Sequence, residues 1–340
     1  MRRRVRAVLV GCGSISGAWL GASSVRERVE IVGLVDIRGK AAEAKAEEFG
    51  LSSAAIGTNL GRVLGAIRPD VVFDCTVPEA HCRVTLTALR YGCHVLGEKP
   101  LADKMTNARR MVAAAKKAKR IYAIIQNRRY QPEIRSLKRF LDSGKIGQVT
   151  TVQSNFFIGA HFGGFRDRMR HVLVVDMAIH TFDAARFVTG ADAKSVYCHE
   201  WNPAGSWYDY DAAAAAVFEM TGGIVYTYQG SWCSEGCRTT WEADWRIIGT
   251  KGSVLWYGGG GFRAEAPKKK AGFIREARRL KVPVRPIERM GHDGVIGEFV
   301  DCVVGGGTPE TMCTDNIKSL AMVHAAVESA KRGRRVAVRA

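Results

Sequence analysis

The sequence predicts an α/β fold: an N-terminal doubly wound parallel sheet, then an α+β region with a large, mostly antiparallel open sheet. Three observations carry this. Short apolar runs alternate with amphipathic helical stretches over roughly the first 125 residues, the pattern of strands buried on both faces between crossover helices. A glycine-rich turn follows the first run. Beyond about residue 148 the texture changes to longer strand-like segments joined by hairpin turns.

In order, residues 5–10, 30–35, 71–75, 93–96 and 121–125 read as buried strands. Residues 41–49, 80–91 and 103–119 carry apolar side chains at three- and four-residue spacing and read as helices. Residues 149–158, 212–220, 224–232, 239–249 and 252–257 read as strands, with Thr221-Gly222-Gly223 and Thr250-Lys251-Gly252 as turns. One helix, 173–188, interrupts them. The glycine run at 258–261 and the basic segment to Pro286 read as a long loop, and helices at 291–304 and 315–332 close the chain. The reading divides the chain into 1–126 and 127–340, with the last helix free to pack back on the first domain.

The composition suits two cores: 340 residues, 46% hydrophobic. No apolar run reaches the roughly 18 residues that span a bilayer. Met1-Arg2-Arg3-Arg4 before an apolar stretch imitates a signal peptide, but the stretch before Cys12 is too short for one. The sequence therefore reads as cytoplasmic, with no membrane partner. Nine scattered cysteines fit a reducing compartment, and Cys233 and Cys237, the one close pair, lack the further ligands of a metal site. The net charge of +18 is dispersed and accompanies no nucleic-acid motif. It reads as solvated surface that helps recruit anionic cofactors.

The first chemical motif is Gly11-Cys12-Gly13-Ser14-Ile15-Ser16-Gly17. Glycines after a buried strand allow a tight turn and close approach of backbone to a pyrophosphate, as in a Rossmann domain. Ser16 replaces the usual third glycine or alanine and is small enough for close packing. Asp36 stands 23 residues beyond Gly13, at the end of the second strand, where a carboxylate accepts from the ribose hydroxyls. Arg38 offers a cation to a 2′-phosphate, which Asp36 would repel, so NAD is preferred over NADP.

The second motif is Glu98-Lys99-Pro100 at the carboxyl end of the 93–96 strand, the edge where open α/β sheets bind ligands. The third is Asp176, His180 and Asp183, at i, i+4 and i+7 on one helix face. Hydride transfer from an alcohol needs a base for the hydroxyl proton, and a histidine beside a carboxylate supplies one near neutrality.

Together these residues resemble the glucose–fructose oxidoreductase/inositol dehydrogenase/MocA family. The likeness extends to Cys75-Thr76-Val77-Pro78 with His81, to Asn127-Arg128-Arg129-Tyr130, and to Gly249-Thr250-Lys251-Gly252. The resemblance implies an NAD(P)-dependent oxidoreductase acting on a secondary alcohol of a sugar or polyol. By it, Lys99 would contact the reacting oxygen, His180 would be the general base, Asp176 would bind substrate, and Asp183 would hold a second hydroxyl. Thr76, Pro78, His81 and Asn127 would lie along the cofactor, with Glu98 near the nicotinamide ribose. Arg129, Asn155, His161 and Trp232 would contribute to the substrate pocket, and the outer face of the second sheet would form a homodimer or homotetramer. A keto-sugar reductase, a glycoside-active enzyme that retains its NAD, and a non-catalytic dinucleotide sensor are the competing expectations.

Overall fold

The computed structural model describes residues 4–269 and 271–340. The basic start at Met1–Arg3, and Lys270 of the basic segment, lie outside the described residues. The chain forms two compact units. The first comprises the chain to Tyr130 together with Glu288–Leu320, and the second comprises Gln131–Ile287 with Ala321–Arg339.

The first unit is a six-stranded parallel sheet. Its strands are β1 (Val5–Val10), β2 (Val29–Val35), β3 (Ala55–Gly57), β4 (Val71–Asp74), β5 (His94–Gly97) and β6 (Tyr122–Ile124), in the order β3-β2-β1-β4-β5-β6. Helices α1 (Ser14–Leu20), α2 (Ser23–Arg28), α3 (Gly39–Glu48), α4 (Leu60–Ile67), α5 (Pro78–Arg90) and α6 (Met105–Ala118) connect them. Val8, Leu9, Val72, Phe73, Val95 and Leu96 have no exposed surface, so both faces of the central strands are covered. The strand order reverses between β1 and β4, which opens a crevice at their carboxyl ends. Local chemistry sets the helix ends: Asn59 accepts from the Arg62 amide at 3.1 Å to cap α4, and Pro78 sits in the first turn of α5.

The second unit is built on nine strands. After α7 (Pro132–Asp142) come β7 (Val149–Phe157), α8 (Ile179–Thr189), β8 (Ala193–Trp201), β9 (Ala213–Met220), β10 (Val225–Ser231), β11 (Asp244–Gly249), β12 (Gly252–Trp256), β13 (Phe262–Pro267) and β14 (Ala277–Leu280). The short β15 (Val336–Ala337) pairs with β8, giving the order β14-β13-β12-β11-β7-β10-β9-β8-β15. Only β7 and β10 pair in parallel within this sheet. Alternation divides its faces. Val152, Ser154, Phe156, Phe218, Tyr226 and Tyr228 are buried, and Phe182 of α8 stands edge-on to Phe218 at 4.9 Å and to Tyr228 at 5.2 Å. Gln153, Val217, Thr227, Gln229 and Arg246 point to the other face, in register across the strands. Of the last helices, α9 (Gly291–Gly305) belongs to the first unit, and α10 (Cys313–Arg332) passes from one unit to the other after Leu320.

Three sequence expectations change. The 258–286 segment is not simply a loop, because it contains β13 and β14. The inward positions of β13 are the small Ala264 and Ala266, and β14 has no buried position, so neither gives an apolar signal. The domain boundary falls after Tyr130, not 126, because a 3-10 turn at Asn127–Tyr130 is held to distant sequence. Arg129 pairs with Asp315 at 2.8 Å, and the Tyr130 hydroxyl donates to Glu298. Finally, the helix expected at 173–188 starts as a π-helical stretch, Leu173–Ala178, before α8.

Phe182→Ala removes the side chain that fills the space between α8 and the sheet. It should lower unfolding free energy by about 3–5 kcal/mol in a denaturant titration.

Candidate functional site

The β1–α1 turn lines a cavity of about 630 Å³ in the first unit, together with Asp36, Arg38, Thr58 and Thr76. Gly11 has φ +89°, and a Cβ there would stand 2.7 Å from the carbonyl carbon and oxygen of Cys75. The turn therefore requires glycine at this point. Cys12 donates its amide to Asp36 Oδ2 at 2.8 Å, and Arg38 donates its amide to Asp36 Oδ1 at 2.9 Å. The Cys12 side chain is buried, and burial, then the Asp36 charge, push its thiol up to about 11. It is packing, not a nucleophile. Ser14 and Ile15 open α1, and Ser16 is fully buried with Oγ donating to Gly13 O at 2.6 Å, as close packing demands. Each carboxylate oxygen of Asp36 keeps a lone pair for a ribose hydroxyl, while the Arg38 side chain is 74% exposed beside it. The donor set fits a dinucleotide.

Three further residues fix the β4 and β5 ends. Asp74 is fully buried, and burial raises its carboxyl above the usual range; Thr76 donates to it from both N (3.1 Å) and Oγ1 (2.5 Å). His81, buried on α5, places Nε2 3.0 Å from Thr76 O and Nδ1 3.0 Å from Pro100 O, tying the two turns together. Glu98 accepts from Trp19 Nε1 at 2.7 Å and from the Lys99 amide at 3.2 Å, so the carboxylate that precedes Lys99 is held from both sides.

Sequence reasoning missed His292. Its Nε2 lies 3.9 Å from Glu98 Oε1 and its Nδ1 3.3 Å from Asn127 Nδ2. Burial lowers its pKa; Glu98 opposes the shift, and the Lys99 and Arg128 cations add to it. A single histidine at the start of α9 carries no local signal of this placement. Arg129, expected at the substrate, is instead buried, with Nη1 donating to Glu310 O at 3.2 Å besides its Asp315 pair. Its charge is spent on holding the 3-10 turn.

In the second unit, Asp176 lies in the π-helical stretch and His180 in the first turn of α8. His180 is buried, which excludes the reading of this helix as a merely solvated acidic face. Arg166 donates Nε to Asp176 Oδ2 at 2.9 Å. Asp183 has no exposed surface and stands 3.9 Å from Arg186, which also binds Asp192 at 2.8 Å. The structure thus gives Asp183 a buried ion network. Asn155 is separated from this group as well: it shares the outer face of the sheet with Gln153 and Gln229, opposite the face that packs on α8. His161 is exposed, stacked on Trp207 at 3.8 Å and bonded to Glu235 at 2.9 Å. Trp232 is buried among Phe156, Phe162 and Trp241, an aromatic core and not a sugar platform.

A glycine turn capped by Asp36, at the reversal of a parallel sheet's strand order, defines the chain as a dinucleotide-binding protein of the Rossmann class. Residues 5–126 match the NAD-binding Rossmann-fold oxidoreductase family, and residues 134–255 match the GFO/IDH/MocA C-terminal domain. The chain belongs to the glucose–fructose oxidoreductase/inositol dehydrogenase/MocA family of NAD-binding oxidoreductases. It is 29% identical over 240 residues to D-glucoside 3-dehydrogenase of Escherichia coli, covering 66% of this chain and 68% of that one. It is 26% identical to D-apiose dehydrogenase of Paraburkholderia graminis, covering 98% and 90%. Its fold is that of an oxidoreductase from Agrobacterium radiobacter solved with NAD+, L-tartaric acid and magnesium (TM-score 0.85, 21% identity, 99% of each chain). Among the described residues, no group of three or more His, Cys, Asp or Glu side chains could hold a metal ion.

Two predictions follow from this geometry. Gly11→Ala should abolish measurable NAD binding in a fluorescence titration, because the added carbon meets the Cys75–Thr76 peptide at 2.7–2.8 Å. The second concerns pH. His292 and His94 are both lowered from the usual 6.5, chiefly by burial. Above that value both states are neutral; below it the unfolded chain binds protons that the folded chain resists. Folding free energy should therefore decline as pH falls below about 6.5, and His292→Gln should flatten the decline in denaturant midpoints.

Proposed function

We propose that the chain oxidises a secondary hydroxyl of a sugar or polyol, with NAD preferred over NADP as hydride acceptor. The observation that carries the reading is the dinucleotide cradle, Gly11, Asp36 and Thr76, in a unit whose β5 ends at Glu98 and Lys99. The relatives named for glucoside and apiose oxidation support the substrate class.

Bound NAD supplies the hydride acceptor. Asp36 holds the adenosine ribose and disfavours a 2′-phosphate, while Glu98, fixed by Trp19, faces the nicotinamide ribose. Lys99 contacts the reacting oxygen and stabilises the negative charge that develops as the hydroxyl proton leaves. His180 accepts that proton, and Asp176 binds the substrate and orients the histidine. Keto-sugar reduction uses the same groups in reverse. The outer face of the nine-stranded sheet exposes Tyr197, Val217, Val225 and Ile248, which supports a homodimer or homotetramer built on that face. Nine free cysteines, most of them buried, support a cytoplasmic setting.

Lys99→Ala and His180→Ala should each lower turnover on the order of 10²-fold while NAD affinity stays within a small factor of wild type. The assay is NADH absorbance across a panel of sugars, polyols, lactones and sugar acids. Near-normal turnover in either variant overturns that residue's role, and a silent panel with intact NAD binding overturns the dehydrogenase reading.

A further inference from the structure

The geometry points to Arg166 as a carboxylate-reading residue, so that the substrate of this site is a sugar acid (a sugar bearing one carboxylate) and not a neutral sugar. This rests on the dehydrogenase reading above for what happens to the sugar, but the anion site stands on its own contacts. Arg166 uses Nε on Asp176 Oδ2 at 2.9 Å. Among the described residues, no acceptor meets its two terminal NH₂ groups. The guanidinium carbon lies 4.9 Å from the Phe162 ring centre and 4.8 Å from that of Phe165. The guanidinium is thus flanked by two phenyl rings, its Nε is anchored, and the side chain is still 33% exposed.

A guanidinium fixed in this way keeps its donors in a plane and loses little freedom on binding. A planar carboxylate matches such donors with two parallel, charge-assisted hydrogen bonds. Arg166, Arg168 and Arg170 share one short loop, opposed by Asp167 and by Asp176. Asp167 has Oδ1 buried, and Arg170 stacks its guanidinium on Tyr210 at 4.2 Å. The Phe165 and Phe162 rings, 69% and 41% exposed, border the guanidinium. The overall charge of +18 would raise the local concentration of any anionic substrate before it docks.

The test uses matched pairs, methyl glucuronide against methyl glucoside and gluconate against glucitol, with glucose 6-phosphate as the dianion. Binding to the NADH-loaded protein is read by calorimetry, and turnover with NAD by absorbance. In both readouts each carboxylate should exceed its neutral partner by tenfold or more. Arg166→Leu should lower carboxylate affinity about 10- to 100-fold and erase the preference, and Arg166→Lys should restore part of it. Equal binding of both members, a stronger response to the phosphate, or an Arg166→Leu loss that is the same for acid and neutral sugars overturns the proposal. The last result would reduce Arg166 to a support for Asp176. Absence of binding by any member also overturns it. Carboxylate-selective binding without turnover leaves the anion site standing and overturns the dehydrogenase reading, whereas unselective turnover does the reverse.

Discussion

The contact between the β1 and β4 turns is the constraint on which the first unit depends. Gly11 lies against the Cys75–Thr76 backbone with no room for a Cβ, and its own amide donates to Val35 O at 2.8 Å. The carboxyl ends of β2, β1 and β4 are thereby fixed to one another through backbone alone. Asp36 then caps the turn by accepting from Cys12 N, which commits one lone pair of the carboxylate to structure and leaves others for a ligand. The same economy recurs one strand further on, where the Thr76 carbonyl and the Pro100 carbonyl are joined through the His81 ring. A cofactor-binding edge made of backbone turns is rigid only if such ties exist, because each turn by itself has little packing.

The second unit solves a different problem, that of burying ionised groups beside a large aromatic face. Nearly every side chain of α8 is buried, including His180, Asp183 and Arg186. An unpaired charge at that depth is strongly destabilising, so Asp183, Arg186 and Asp192 must be read as one network. The π-helical stretch just before α8 places Asp176 near the exposed loop that carries Arg166, while Asp183, about two turns later, is enclosed. Two aspartates that look equivalent on a regular helical wheel thus sit in different surroundings.

What the sequence made legible follows the range of the interactions concerned. The parallel sheet, the Gly11 turn, Asp36 and the Glu98–Lys99 step are written in short runs whose chemistry is local, and the structure places them together. Strand β13 escaped notice because its inward residues are alanines, and the π turn because periodicity assumes one helical pitch. Arg129, Asn155 and Trp232 were drawn to the site by residue type, yet a salt bridge to Asp315, the pleat of β7 and a surrounding aromatic cluster take them elsewhere. Asp315 lies 186 positions from Arg129 and Phe156 lies 76 from Trp232, beyond the reach of any local pattern.

The same distinction separates chemistry from specificity in this fold. Groups that handle a cofactor must meet a ligand of fixed shape, so their spacing along the chain is constrained and readable. Groups that choose a substrate need only meet one another in space. His292 reaches Glu98 from 194 positions away, and Arg166 acquires its directionality from two phenyl rings and an aspartate ten residues on. Neither arrangement leaves a pattern in the sequence, because any chain that brings a ring or a carboxylate to the same place would serve. Substrate choice in such a protein is therefore free to change by exchanging loop residues, while the turn at Gly11 and its contact with Cys75 stay as they are.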